Sequence, residues 1–133
     1  MTGSRRVAVN SRTAGFTLVE LMVVLAVVAL LISIVVPDYV GRVRRAEEAV
    51  LKENLMLMRD ALDKHYADVG KYPANLQDLV TRRYLRAIPA DPLTHSSASW
   101  IVVAPTDPRR GNVYDIKSGA KGQGSNGTAY EHW

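Results

Sequence analysis

Cysteine is absent from this 133-residue sequence, which excludes a disulfide framework and any chemistry that needs a thiolate. Ionisable side chains are absent from Leu21 to Val36, and acidic side chains are absent from the first 15 residues. These gaps divide the chain into a short leader whose charges are all positive, a long apolar run and a polar remainder. The chain is therefore not one evenly mixed globular domain.

The excess of basic charge belongs largely to the leader, which contains Arg5, Arg6 and Arg12. The whole sequence has 17 basic and 13 acidic side chains, and removal of these three arginines leaves 14 basic against 13 acidic. The remaining chain is then close to neutral, although the pI of the full sequence is about 9.6. Its charge gives no reason to expect nucleic acid as a partner.

The apolar run from Phe16 to Val36 has the length of a membrane span. Its 21 residues would rise by about 30 Å as a helix, which matches the hydrocarbon core of a bilayer. The leader arginines are expected to stay in the cytoplasm, with the C-terminal part on the other side. The alternative is a cleaved secretory signal, whose apolar stretch is roughly 7–15 residues long and ends in small residues. This run is longer and ends in Val35-Val36-Pro37-Asp38, so a single-pass helix is predicted.

Glu20 is the one carboxylate in this apolar surrounding, where an ionisable group costs about 3 kcal/mol. One interpretation is that it lies in the first helical turn, where the helix dipole favours an anion. A second is that it awaits a cation. If the chain is cut before Phe16, a new α-amino group appears four residues away, and the two charges could pair within one chain or between neighbouring chains.

The segment Ala14-Gly15-Phe16-Thr17-Leu18-Val19-Glu20, after a short basic leader and before an apolar helix, resembles the type III signal of type IV pilins and type II secretion pseudopilins. The resemblance implies that a prepilin peptidase cuts after Gly15 and methylates Phe16. It also implies that Glu20 docks onto the preceding subunit. A proline occurs in that family at the position of Pro37, where the helix bends and continues.

The same resemblance implies the partners and the location. The chain would form a homopolymer and would assemble with other pseudopilins on an inner-membrane assembly platform, after lying in membrane lipid and meeting the prepilin peptidase. Its N-terminus would be cytoplasmic and its C-terminal domain periplasmic, first in the bacterial inner membrane and then in the pseudopilus.

Periodicity predicts an α+β structure in which a long N-terminal helix packs against a small domain, and the resemblance implies that this is the pilin-like fold. Apolar residues recur at three- and four-residue spacing beyond Pro37, and the helix is expected to run from about Thr17 to about Ala67 before stop signals at Gly70 and Pro73. The predicted organisation is a leader at 1–15, a membrane and assembly helix at 16–37, an amphipathic continuation at 38–67 and a small globular α/β domain at 68–133.

The globular part is predicted to contain a short helix and a β-hairpin. Asn75 is a plausible N-cap for the helix. Trp100–Val103 and Val113–Ile116 are the predicted strands, and a turn-rich segment separates them. The tail at 118–128 is Gly/Ser/Asn-rich, and Tyr130 and Trp133 after it are expected to fold back as apolar lids.

The stretch that begins Gly70-x-Tyr72-Pro73 is similar to the globular domain of the major pseudopilin, in which an acidic loop near the C-terminus binds calcium. Here that region offers Asp115, followed by Lys117 and Lys121, and no further acid until Glu131. Calcium prefers six to eight oxygen ligands, several of them anionic. No metal or other cofactor is therefore predicted, and calcium at this loop is left as the alternative.

Several patterns look chemical but are given structural interpretations. Gly122-x-Gly124-x-x-Gly127 lacks the βαβ context of a dinucleotide site and is predicted to be a flexible loop. The three histidines have no metal-ligand spacing, and His65 is predicted at a surface or interface. Glu48 is assigned to the polar face of the helix as an i,i+4 partner of Lys52. A last set, Arg42, Arg44 and Arg45, is expected to meet lipid headgroups or Glu47 and Glu48 of neighbours.

Three functional hypotheses follow. The first is a structural pseudopilin of a type II secretion system, which polymerises through its helix to drive export of proteins and is not an enzyme. The second is a type IV pilin or minor pilin for adhesion, motility or DNA uptake, although many of these have a C-terminal cysteine pair that is missing here. The third is an enzyme or binding protein that uses the helix only as an anchor. No catalytic residues are predicted.

Overall fold

A computed structural model describes residues 2–5 and 14–133, which form the predicted α+β structure. The leader at 1–15 lies in part outside these residues. The described elements are α1 (Leu18–Val69), α2 (Leu76–Thr81), β1 (Ile101–Val103) and β2 (Asp115–Lys117), with 3-10 turns at Pro108–Arg110 and Tyr130–His132. The chain divides into two compact units, of which the first ends at Asp38 and the second is Tyr39–Trp133.

The helix α1 begins and ends within two residues of the predicted bounds. It continues through Pro37, and the predicted bend at that residue stays a prediction. At its C-terminal end the Gly70 N–H donates to the Tyr66 carbonyl at 2.8 Å, and Gly70 has a φ of +79°. Glycine adopts this left-handed conformation without steric cost, which explains why the helix stops there.

In the first unit the side chains of α1 are exposed. No residue from 14 to 38 is buried, and Leu18 and Leu30 are 75% and 63% exposed. A single chain therefore leaves a long apolar surface uncovered, which is unfavourable in water.

In the second unit, the other half of α1 supplies one wall of a hydrophobic core. The buried residues follow one another at intervals of three and four, which places them on a single helical face: Leu51, Leu55, Met58 and Leu62. They pack in one cluster with Leu79 of α2, Ile116 of β2 and Tyr130. The predicted stripe also included Val50 and Val69. It is confirmed for these four residues but is wrong for Val50 and Val69, which are 45% and 43% exposed.

The two strands form an antiparallel pair in which Val102 lies opposite Ile116. They overlap the predicted segments, but three predicted strand residues, Trp100, Val113 and Tyr114, lie outside the observed strands. The Trp100 indole instead donates to the Pro89 carbonyl at 2.8 Å, and the Val113 N–H donates to the Pro73 carbonyl at 3.1 Å. Both side chains are buried, so their apolar character reflects the core and not strand pairing.

The predicted cap of α2 is confirmed. The Asn75 side-chain oxygen accepts a hydrogen bond from the Asp78 N–H at 3.0 Å and so satisfies one of the free donors at the helix start. The predicted return of the C-terminal aromatic residues is also confirmed. Tyr130 is 6% exposed, and its ring contacts that of Trp133 with centroids 5.1 Å apart.

The prediction that His65 lies at a surface or interface is wrong, because the residue is buried within its own chain. Its side chain is 3% exposed and packs edge-on against Tyr84, with ring centroids 5.5 Å apart. His65 Nδ1 is 2.8 Å from the carbonyl oxygen of Lys71. Because a carbonyl can only accept, the imidazole donates here and ties the turn after α1 to the helix.

Candidate functional site

The start of α1 is organised by Thr17. Its hydroxyl accepts a hydrogen bond from the Glu20 N–H at 3.1 Å, and its carbonyl accepts one from the Leu21 N–H at 3.2 Å. A threonine three residues before a glutamate is the sequence pattern of a capping box. Glu20 therefore lies in the first turn of the helix, and its side chain is exposed.

The Gly15–Phe16 peptide bond lies just before the helix begins. Phe16 is 89% exposed, and an added Cβ at Gly15 would meet no atom within 4 Å. Nothing in the folded chain therefore requires glycine at this position. A requirement for glycine would come from a molecule that binds the segment, as expected for the peptidase.

Between Glu20 and Pro37, α1 presents an exposed apolar surface. Within the part of the chain that the structure describes, α1 is the one helix whose length and composition would allow it to cross a membrane. The described residues also contain no group of three or more His, Asp or Glu side chains placed to hold a metal ion. The arrangement suits insertion and helix packing.

A second carboxylate on α1 has a different environment, which the sequence interpretation missed. Glu48 is not a surface partner of Lys52, because it is 4% exposed and bound to Ser125 and Tyr130. The ammonium group of Lys52 instead lies over the Trp133 ring, 4.6 Å from its centroid. A signal was present, since Glu48 precedes Leu51 and Leu55 by three and seven residues and so lies on the buried face.

The charge on Glu48 is stabilised despite its burial. Burial acts to raise its pKa, but the hydrogen bonds from the Ser125 hydroxyl, the Ser125 N–H and Tyr130, together with the positive charge of Arg44, lower the pKa below its ordinary value. The same contact raises the pKa of Tyr130, for which burial is the larger cause and Glu48 the second. The pair is therefore a carboxylate that accepts from a neutral phenol.

Comparisons with known proteins cover both the motif and the globular part. The profile described as the prokaryotic N-terminal methylation motif matches residues 10–36, a range that includes Gly15, Phe16 and Glu20. The type II secretion system core protein G of Aeromonas hydrophila is 31% identical over 107 residues, which cover 80% of this chain and 74% of that protein. This chain belongs to the type II secretion system core protein G family.

Other core protein G relatives support the same assignment. That of Klebsiella pneumoniae is 31% identical over 114 residues, covering 84% of this chain and 80% of that protein. That of Escherichia coli strain K12 is 30% identical over 105 residues, which cover 79% of this chain and 72% of that protein. No solved structure gives a significant match. The predicted resemblance to the secretion pseudopilins is confirmed, and these core protein G relatives are not named as enzymes or as type IV pilins.

Proposed function

We propose that this chain is a structural subunit of the pseudopilus of a type II secretion system and that it polymerises through α1 to drive protein export. The observation that carries the proposal is the uncovered apolar half of α1, with one carboxylate in its first turn. Burial of each large apolar side chain is worth about 1.5–3 kcal/mol, so this surface requires lipid or copies of itself.

Apolar contact alone would not favour the filament over the membrane. Lipid tails are as apolar as a neighbouring helix, so the move from one to the other gains little hydrophobic free energy. A polar pair can supply the difference and also fix the axial stagger. Glu20 would provide the negative charge and the new amine of Phe16 on a neighbouring subunit the positive one, because each buried charge needs a partner.

Processing creates that positive charge. A prepilin peptidase would cut after Gly15 and methylate the amine of Phe16. Before the cut, the leader arginines would hold the N-terminus in the cytoplasm, so that the C-terminal part enters the periplasm. The single apolar helix and the family membership fit a single-pass protein of the inner membrane.

A set of exposed arginines follows the predicted span, at Arg42, Arg44 and Arg45. Their position just beyond Pro37 suits contact with phospholipid headgroups before assembly. Glu47 and Glu48 were both predicted to meet these arginines in a neighbouring subunit. Glu48 is bound within its own chain, so the partly exposed Glu47 is the better candidate.

Other pseudopilins, the inner-membrane assembly platform and the peptidase are the remaining proposed partners, and the subunit would not act as an enzyme or bind nucleic acid.

The Glu20→Ala variant tests the proposal. The variant should insert into the membrane and show the mass of a chain that begins at methylated Phe16, because the cut site and apolar run are intact. Its yield in filaments sheared from overproducing cells should fall at least about hundredfold, since loss of one partner from a buried pair costs roughly 3–5 kcal/mol.

The matched control is Glu53→Ala, which removes an exposed carboxylate from the same helix. It should be processed and assembled like the wild-type protein. A normal filament yield for Glu20→Ala would refute the docking role of Glu20. A native chain that retains its first 15 residues would refute the processing step.

A further inference from the structure

The segment Ser118–Thr128, here called the C-terminal loop, has a poor set of ligands for the calcium ion that the family resemblance implies. Asp115 is the one carboxylate in the sequence between Asp107 and Glu131. Arg59 Nε lies 2.8 Å from Asp115 Oδ1, so that acid already has a cation. Calcium prefers several anionic oxygens, and the residues present do not fit it.

The loop is instead fastened to α1 by Glu48. The Ser125 N–H donates to Glu48 Oε1 at 2.8 Å, and the Ser125 hydroxyl donates to Oε2 at 2.5 Å. The Tyr130 hydroxyl donates to Oε1 at 3.0 Å. Both carboxylate oxygens are therefore used, and the donors come from residues 77 and 82 positions further along the chain.

A second buried carboxylate fixes the beginning of the same loop. Asp91 is 0% exposed, and its Oδ2 accepts from the Ser118 hydroxyl at 2.5 Å. The Ser118 oxygen in turn accepts from the Ala120 N–H at 3.1 Å. The loop is thus held at its first residue by Asp91 and near its end by Glu48.

Packing fixes the geometry between these two points. An added Cβ at Gly124 would lie 2.1 Å from the Trp133 ring, so this position has no room for a larger residue. The Gly124 N–H donates to the Thr128 carbonyl at 2.9 Å, which closes a tight turn around Ser125. The turn presents N–H and O–H donors to an internal anion, whereas a calcium loop must present oxygen acceptors to a cation.

We propose that the C-terminal loop of this protein is ordered without calcium. The carboxylate of Glu48 holds the loop against α1 and so replaces the bound cation in this role. The charge of Glu48 makes the three hydrogen bonds charge-assisted and therefore stronger than neutral ones. The lowered pKa of Glu48, which results from those bonds and from Arg44 acting against burial, agrees with a permanently ionised group at neutral pH. The inference concerns the globular unit and does not depend on polymerisation.

Hydrogen–deuterium exchange of the full mature chain in detergent micelles tests the proposal. The peptide that covers residues 118–133 should exchange at the same rate with calcium chloride and with EGTA. In Glu48→Gln the rate for that peptide should rise about tenfold to hundredfold, because charge-assisted bonds are replaced by weaker ones. Glu53→Gln removes an exposed charge five residues along the same helix from Glu48 and should leave the rate unchanged.

A second variant separates loop opening from failure to fold. Ser125→Ala removes one donor to Glu48 and leaves the carboxylate and the rest of the core in place. It should also speed exchange of this peptide, while circular dichroism shows the helical content of the wild-type protein. Slower exchange of the wild-type loop in calcium would overturn calcium independence. If the peptide exchanges at the wild-type rate in both Glu48→Gln and Ser125→Ala, the proposed role of Glu48 is overturned.

Discussion

Glu20 and Glu48 are both carboxylates of α1, and they differ in the groups that balance their charge. Glu48 is surrounded by donors from its own chain, two from Ser125 and one from Tyr130. Glu20 is exposed in the first helical turn, beside apolar side chains that are exposed as well. The free energy of folding can account for Glu48. For Glu20 we propose a partner outside the folded chain, the new amine of a neighbouring subunit.

The lowered pKa of Glu48 predicts a specific acid sensitivity. A carboxylate with a depressed pKa stabilises the fold above its ordinary value of 4.5, and this contribution is lost as the pH falls through the lowered pKa. Arg44 and Tyr130 are the groups that interact with this charge, and Glu47 lies near Tyr130. The melting temperature of the wild-type protein should therefore exceed that of Glu48→Gln at neutral pH, and the difference should shrink below about pH 4.5.

Thermal unfolding of both proteins in the same detergent, from neutral pH to roughly pH 3, measures this difference. The general loss of stability in acid affects both proteins and cancels in the comparison. A difference that stays constant over the whole range would show that the ionised form of Glu48 is not the stabilising one.

At the scale of the element, α1 performs two tasks with one continuous backbone. Its first half has no buried side chain, whereas the second half contributes four large residues to the core. The helix passes from its fully exposed half to its core-forming half without a break, because Pro37 is accommodated within it. The first half is apolar on every face, whereas beyond Pro37 apolar and charged residues alternate at helical spacing.

A pair of leucines on α1 tests which face carries the core. Leu55→Ala should destabilise the globular unit by about 2–5 kcal/mol, because Leu55 is 1% exposed and its loss leaves a cavity. Leu57→Ala should change stability by less than about 0.5 kcal/mol, because Leu57 is 51% exposed. Guanidinium unfolding followed by tryptophan fluorescence measures both effects. Equal losses for the two variants would contradict the assignment of the buried face.

At the scale of the whole molecule, the second unit contains everything that its core requires. The core residues all lie between Leu51 and Tyr130, and the described residues include no buried side-chain polar atom without a hydrogen-bond partner. Residues 39–133 are therefore expected to fold when produced without the first 38 residues. Size-exclusion chromatography with light scattering should show a soluble monomer, and thermal unfolding should be cooperative. Aggregation or gradual unfolding would contradict this expectation.

Local signals in the sequence predicted the features that depend on neighbouring residues. The bounds of α1, the Asn75 cap and the positions of the strands followed from periodicity, capping chemistry and turn residues. The segment from Gly15 to Glu20 was identifiable because its leader, its glycine and its apolar run occur together. The roles proposed for Gly15, Phe16 and Glu20 concern a peptidase and neighbouring copies, and they stay predictions.

The errors arose where a polar residue is satisfied by a distant part of the chain. His65 was predicted at a surface, yet the Lys71 carbonyl accepts its hydrogen bond inside the fold. Glu48 was assigned to the polar face because Lys52 follows four residues later. Its actual partners are Ser125 and Tyr130, which local periodicity cannot reveal. A charged residue in phase with a buried stripe was the signal for an internal contact.

The distance along the chain between Glu48 and its donors also has a kinetic consequence. Contacts between residues about 80 positions apart form late, because the intervening chain must be ordered first. During synthesis, the buried face of α1 would remain open until Ser125 and Tyr130 have emerged. If synthesis or translocation stalls before these residues, the apolar face of α1 beside Leu51 stays exposed to water. Chaperones and proteases would then recognise the unfinished chain.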